Sequence, residues 1–342
     1  MVAENIVWKI GIDHRKEKRD MNNKKILITG FSGFVAWHFV DYLYALDIDV
    51  EIYGIDIREP LYDVRRYLPK LKIKFNVLDM TDVGQLADLF HEFTPDYILH
   101  LAAYSSVAYS WKNPAESFMN NSNIFLNLIH AVQEYNPECR VLSVGSSEEY
   151  GNVDKDNLPI RENQPLQPTS PYAVARVSQE MLSKIFSETF HLNIILTRSF
   201  NHIGPRQDDR FAVPGFISRI LEIKRKGLSH GEIETGDITV IRDFVDVRDV
   251  VRAYYLLLLE GKSGEVYNIC SGKGVSLQDL INVIAGQVGV EVTTKINPAF
   301  IRPRDNMITV GSPFKIESEL GWHPEISLYD TIHDMILFKE QG

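Results

Sequence analysis

From Lys24 onward the apolar positions switch repeatedly between a strand period and a helix period. Residues 24–30 (KKILITG) form a short β-branched run closed by glycine, the pattern of a buried strand. Residues 31–46 (FSGFVAWHFVDYLYAL) then repeat their apolar positions at helical spacing. The alternation continues with strands expected at 50–57 (VEIYGIDI) and 72–79 (KIKFNVLD), a helix at 82–93, a strand at 97–103 (YILHLAA), a long helix at 114–136 and a strand at 140–147 (RVLSVGSS). A second long helix should open at Pro171 or Tyr172 and run to Phe190, followed by a strand at 193–200 (NIILTRSF). Strands alternating with helices imply a parallel sheet covered on both faces.

After about residue 200 the pattern loosens into Gly- and Pro-punctuated loops and short segments. A strand (264–272, GEVYNICSG) and helices (276–289 and the amphipathic C-terminal stretch 322–338) stand out from it. The fold expected is α/β, a Rossmann-type doubly wound parallel sheet with a smaller C-terminal α/β substrate domain. The expected division is an extension over 1–20 that is disordered or non-native, a dinucleotide-binding domain over 21–200, and a mainly substrate-binding domain over 201–342. Later segments should return strands to the first sheet.

Composition narrows the function. The 342 residues carry a formal net charge of −10, which argues against nonspecific nucleic-acid binding, since that needs a basic surface. An anionic substrate remains compatible, because a few arginines in one pocket hold a diphosphate against a negative total. Cys139 and Cys270 are the only cysteines and sit in apolar runs, so neither a disulfide framework nor a thiolate metal cluster is expected. The ten histidines show no pair at ligand spacing, and His202 reads as a loop hydrogen-bonder. No apolar run approaches the ~18 residues of a membrane span, and the N-terminus lacks the apolar core of a signal peptide. A cytoplasmic enzyme without a metal, a membrane or a nucleic-acid partner is the expectation.

Two motifs carry candidate chemistry. Gly30 and Gly33, in Thr-Gly-Phe-Ser-Gly-Phe-Val-Ala, lie between a strand and a helix. The first glycine permits the tight turn, and the second lets the backbone approach a pyrophosphate held on the helix N-terminus. Ala36 replaces the usual third glycine and is small enough for close packing. Asp56 ends the next strand, where a carboxylate accepts a ribose 2′-OH and repels a 2′-phosphate. NAD is therefore favoured, with NADP kept open by Arg58. The second motif pairs Ser146 at a strand end with Tyr172 and Arg176, which share one helix face at i and i+4. A fixed cation there would stabilise a phenolate and hold a nicotinamide ribose, while the phenol exchanges a proton with a sugar oxygen and Ser146 donates to the same atom.

On these motifs the sequence resembles the extended short-chain dehydrogenase/reductase superfamily over residues 24–340. The resemblance implies a homodimer whose long helices, over 115–135 and 172–190, pack against their copies. It also implies dinucleotide contacts from Ser32, Phe34, Val35, Asp79, Met80, Leu101, Ala102 and Ala103, besides Gly30, Gly33, Asp56, Tyr172 and Arg176. The family pair is Tyr-x-x-x-Lys, so arginine at 176 is a departure: it keeps the charge but cannot release a proton. Residues 198–207 (RSFNHIGPRQ), 242–249 (RDFVDVRD) and 302–305 (RPRD) are similar to segments of the branch that handles GDP-hexoses. That likeness implies substrate contacts from Asn201, Arg206, Arg242 and Arg302. It favours a GDP-4-keto-6-deoxy-D-mannose reductase type. The alternatives are a GDP-mannose 4,6-dehydratase, with Glu148 as the base that strips a C5 proton, a C4 epimerase, or a non-catalytic NAD-binding protein.

Overall fold

The computed structural model describes residues 21–68, 70–301 and 306–341. The extension expected over 1–20 lies outside the described residues. The first half of the chain runs β1 (Lys24–Thr29), α1 (Phe34–Leu46), β2 (Val50–Asp56), β3 (Lys72–Val77), α2 (Val83–Glu92), β4 (Tyr97–His100), α3 (Val107–Lys112), α4 (Pro114–Tyr135), β5 (Arg140–Ser146), α5 (Pro171–Phe190) and β6 (Asn193–Ser199). The second half adds β7 (Asn201–Ile203), α6 (Ala212–Arg225), β8 (His230–Thr235), β9 (Ile241–Asp246), α7 (Val247–Glu260), β10 (Val266–Ile269), β11 (Gly274–Ser276), α8 (Leu277–Val288), β12 (Glu291–Ile296), β13 (Ile308–Thr309), α9 (Phe314–Leu320) and α10 (Leu328–Gln341).

Seven strands form one sheet in the order β10-β6-β5-β4-β1-β2-β3, and every neighbouring pair is parallel. A strand buried on both faces must be apolar throughout, and β1 shows why its run is continuous. Ile26 and Ile28 face a core built with α1 and α7, while Leu27 between them faces a core built with α2, α4 and α5. The chain thus encloses a doubly wound sheet, and β10, drawn from beyond residue 260, forms one of its edges.

A smaller body lies beyond this sheet. Its core gathers Ile217 and Ile220 of α6, Leu280 and Ile284 of α8, and Ile332 and Met335 of α10. β8 and β12 pair in parallel beside it, and β9 joins β7, β11 and β13 in a short mixed sheet. The loose pattern expected after residue 200 is here ordered into helices, and α7 explains the difference. Its sequence VRDVVRAYYLLLLE is buried along nearly its whole length between α1 and the large sheet. Arg248 and Asp249 on its polar face are themselves buried in ion pairs, so along the chain these charges read as a ligand-binding segment rather than as the face of a buried helix. Among the described residues no helix is long and apolar enough to cross a membrane.

Candidate active site

In an open parallel sheet, ligands bind beyond the carboxyl ends of the strands, where the strand order reverses. Here that point lies between β1 and β4. Gly30 follows β1 with φ +69, and a Cβ on it would come within 2.8 Å of the Ala102 amide nitrogen beyond β4. Any larger residue would push apart the two loops that line the crevice. Phe31 anchors the turn: it is fully buried, and its ring occupies the space that a Cβ on Gly54 of β2 would enter at 2.3 Å. Gly33 caps α1 without a side-chain hydrogen bond, so the first-turn amides of Phe34 and Val35 face the crevice with no capping side chain. These uncapped amides on a helix N-terminus are the donor set a pyrophosphate needs, and the glycine cradle leaves room for it.

The remaining dinucleotide candidates line the same edge. Asp56, at the end of β2, accepts a 3.0 Å bond from the Ser32 amide, and Ser32 Oγ donates to the Arg58 carbonyl at 2.6 Å. Burial raises the Asp56 carboxyl above its ordinary value against the lowering pull of the Ser32 amide. Asp79, beyond β3, is exposed and accepts from the Thr81 amide and hydroxyl, while Met80 is buried beside it. Leu101, Ala102 and Ala103 leave β4 half-buried. Thr29 ties them down, its Oγ1 accepting from the Leu101 and Ala102 amides at 3.2 and 3.1 Å. The Thr29 hydroxyl can then donate only to His100 Nδ1, 2.9 Å away. Burial, followed by the charge of Arg176, pushes the His100 imidazole down to about 3, so it stays neutral.

The proton-transfer candidates meet at the end of β5. Ser170 caps α5 through its bond from the Ala173 amide, and Pro171 fills the first helical position, which sets the start of the helix one residue before Tyr172. Tyr172 and Arg176 are both buried, and Arg176 Nε donates to the Tyr172 hydroxyl at 3.2 Å. Arg176 Nη1 donates to the Val144 carbonyl at 3.0 Å and to Gln179 Oε1 at 2.7 Å. The guanidinium is therefore pinned across from β5, two residues before Ser146. Ser146 itself is held at both ends of a capping box. Its amide donates to Glu149 Oε1 at 2.7 Å, and its Oγ accepts from the Glu148 amide at 3.3 Å. Burial and the neighbouring Glu180 push Glu149 up to about 8. Glu148 stands half-buried in the same turn, Ser147–Tyr150.

Gln179 escaped the sequence reading. It is buried, and its Nε2 donates to Ser143 Oγ at 2.9 Å while its Oε1 takes Arg176. The available signal was an amide three residues after the arginine on the inner face of the same helix.

The arginine-rich segments behave differently. Asn201 lies on β7, paired in register with Phe244 of β9. Arg206, expected at a sugar diphosphate, has partners within the chain. It forms a buried 2.5 Å ion pair with Asp41 of α1 and lies 3.7 Å over the Trp37 ring, so internal pairing satisfies its charge. Arg242 is buried on β9 and donates to the Ile241 carbonyl at 2.9 Å. Downstream of it the charges are structural. Asp243 accepts from the Ser271 and Gly272 amides, Asp246 pairs with Arg248, and Asp249 accepts from the Glu325 and Ile326 amides. Arg302 lies outside the described residues. Among the described residues no group of three or more His, Cys, Asp or Glu side chains could hold a metal ion.

Comparison with known proteins adds to this geometry. The model of the family described as GDP-mannose 4,6 dehydratase matches residues 27–335. The GDP-6-deoxy-D-mannose reductase of Pseudomonas aeruginosa is 32% identical over 313 residues, covering 92% of this chain and 96% of the relative. The GDP-mannose 4,6-dehydratase of Vibrio cholerae is 26% identical over 355 residues, covering 92% and 93%. Among solved structures, RMD from Pseudomonas aeruginosa complexed with NADPH matches with a TM-score of 0.78 at 29% identity, over 93% of this chain and 98% of that one. The UDP-glucose 4-epimerase of Thermotoga maritima with UDP-glucose matches at 0.81 and 28%, over 93% and 99%.

Proposed function

Because the chain belongs to the GDP-mannose 4,6-dehydratase family, we propose that it reduces the C4 carbonyl of a GDP-4-keto-6-deoxyhexose, with GDP-4-keto-6-deoxy-D-mannose as the preferred substrate. The observation that carries this reading is the buried Tyr172–Arg176 pair lodged at the end of β5, beside the strand-order reversal. The likeness to a GDP-6-deoxy-D-mannose reductase over nearly the whole chain supports the choice of substrate.

Gly30, Gly33 and the first-turn amides of α1 would hold the pyrophosphate of NAD or NADP, Asp56 and Ser32 the adenosine ribose, and Tyr172 and Arg176 the nicotinamide ribose. When bound in reduced form, the dinucleotide supplies the hydride for C4. Tyr172 gives its phenolic proton to the C4 oxygen, which stays on C4 as a hydroxyl. Ser146 Oγ, already accepting from the Glu148 amide, is free to donate to that oxygen and polarise it. Arg176 cannot give up a proton, so its part is to keep a fixed positive charge beside the phenolate. The proton that restores Tyr172 therefore comes from solvent. The sheet and its helices form the dinucleotide half, and the smaller body around α6, α8 and α10 takes the nucleotide sugar, with Asn201, Arg242 and Arg302 on the substrate side.

A second reading, the 4,6-dehydratase, rests on Glu148, a half-buried carboxylate one turn beyond Ser146. Mass spectrometry of GDP-mannose incubated with the protein and NAD separates the two. Loss of one water overturns the reductase in favour of a dehydratase with Glu148 as its base. An unchanged substrate, followed by two added hydrogens on the 4-keto-6-deoxy sugar with NADPH or NADH, supports the reductase.

The assembly we propose is a cytoplasmic homodimer. Met119 of α4 and Val174, Met181 and Ile185 of α5 are exposed apolar side chains, and α4 and α5 pack side by side. The three on α5 share a face at i, i+7 and i+11, suited to a second copy. A monomeric mass by light scattering would sink the dimer, and secretion of the protein in a cell fractionation would sink the cytoplasmic placement.

A further inference from the structure

The loop after β7 is built onto the helix whose N-terminus faces the crevice, and the join runs from the phenylalanines of the glycine motif through residues outside both motifs. Phe31, within the glycine turn, accepts a 3.0 Å bond at its carbonyl from the buried Tyr62 hydroxyl. Tyr62 stacks on Trp37 of α1, with ring centroids 4.6 Å apart and planes 15° from parallel. On the other side of Trp37 lies the Arg206 guanidinium, at 3.7 Å, paired with Asp41 one helical turn further along. Arg206 holds this position with φ +74, a left-handed conformation that side-chain-bearing residues seldom adopt.

A second line of contact runs parallel to the first. Phe34, the first residue of α1, lies parallel to the His202 ring at 6.4 Å, and His38 Nε2 bonds the Pro205 carbonyl at 2.9 Å. Gly204 sits so close to its neighbours that a Cβ would come within 2.5 Å of Val247. The segment from Asn201 to Gln207 therefore cannot shift without moving α1, and α1 cannot shift without moving the glycine turn. A packed column of this kind has few alternative arrangements, so ordering one end orders the other.

We propose that the Phe31–Tyr62–Trp37–Arg206 column makes dinucleotide binding and nucleotide-sugar binding mutually reinforcing, with Tyr62 and Trp37 as positioning residues. The inference rests on the GDP-hexose reading above. It assigns to Arg206 a role in carrying the substrate loop rather than in touching substrate. Thermodynamic linkage then requires the effect to be reciprocal, each ligand tightening the other by one common factor.

Titration calorimetry of the full chain with GDP as probe, with and without saturating NADP+, tests this. GDP is expected to bind about tenfold tighter with the dinucleotide present, and NADP+ about tenfold tighter with GDP present. In Trp37→Leu both factors should fall to about one. Tyr62→Phe removes a single hydroxyl and keeps the stack, so it stays informative if the tryptophan variant does not fold. There the factor should drop to about threefold, with the affinity for GDP alone unchanged. A merely structural stack would weaken both ligands, or neither, and leave their ratio untouched. A factor of one in the native protein, or an unchanged factor in a folded variant, overturns the coupling while leaving the GDP-hexose reading intact. GDP that binds in neither condition overturns the GDP-hexose reading and this inference with it.

Discussion

Arg176 of α5, packed against the end of β5, and the arginines of the loop after β7 and of α7 are all buried charges, yet they are held in opposite ways. Arg176 is anchored by its Nη1, through Val144 and Gln179, so that its Nε reaches the Tyr172 hydroxyl. The oxygen it serves is the one we propose as the proton donor of the site. Arg206 and Arg248, by contrast, are held by carboxylates of the same chain, Asp41 in one case and Asp246 with Asp334 in the other. Burying a charge in a low-dielectric interior is costly unless a partner comes with it. The partner therefore shows what each arginine is for. Where a carboxylate of the chain closes the pair, the arginine's charge is neutralised within the fold; where neutral acceptors hold the guanidinium, its charge is left uncompensated, as the proposed role of Arg176 requires.

The largest test of this contrast is Tyr172→Phe. Loss of the proton donor should lower kcat by about 10²–10⁴ with an unchanged melting temperature, since the ring and its packing remain. A variant that melts early would mean the hydroxyl is structural, and the comparison would break. Arg248→Met should act the other way. It leaves Asp246 buried and short of its partner, which costs about 3–5 kcal/mol of unfolding free energy in urea titrations. Material that does fold should keep kcat within about a factor of two, a bound below the ~1.4 kcal/mol that makes a tenfold change.

A smaller effect separates the two regions by pH. His100 is buried and neutral in the fold, titrating at about 3 against an ordinary 6.5. Below pH 6.5 the unfolded chain takes up a proton that the folded chain refuses. Stability is therefore lost as pH falls through that window, by about 1.4 kcal/mol per pH unit, or about 2 kcal/mol between pH 7 and 5. In His100→Gln this contribution disappears. The stability gap between native and variant protein should narrow by that amount over the same interval, and a constant gap would show that His100 takes up its proton in the fold at the same pH as in the unfolded chain. The smallest effect expected is from Arg176→Lys. Lysine keeps the charge but cannot reach Tyr172, Val144 and Gln179 together. Losing one ordinary hydrogen bond, about 1 kcal/mol, should weaken NADP+ binding about fivefold by calorimetry. A loss of a hundredfold would mean the guanidinium fork itself is indispensable.

The protein is an NAD(P)-dependent nucleotide-sugar enzyme with a Rossmann-type fold, and most of that was legible along the chain. Strands β1 to β6 and helices α1, α2, α4 and α5 follow from runs whose period and closing residues are local properties. Gly30 and Gly33 were legible because a turn against a helix N-terminus needs those residues in that order. Tyr172 and Arg176 were legible because helical spacing alone puts them on one face. Helix α7 was not, because Arg248 and Asp249 on its polar face are buried in ion pairs and along the chain read as a ligand-binding segment. Gln179 and Thr29 were not, because a buried amide or hydroxyl is recognised by its partners, and those lie on other strands.

What the sequence determined by itself is everything carried by short-range rules: the order of strands and helices, the phosphate turn, the Tyr172–Arg176 face and the departure from lysine. What the tertiary structure alone decided is the allegiance of each charge. Asp41 lies 165 positions before Arg206, and Asp334 lies 86 beyond Arg248. Pairings over such distances leave no periodic trace in the chain, because they depend on which surfaces the fold brings together. A segment such as RDFVDVRD reads the same whether its arginines await a ligand or already hold a carboxylate. The difference lies in desolvation, which exists only once the chain is packed.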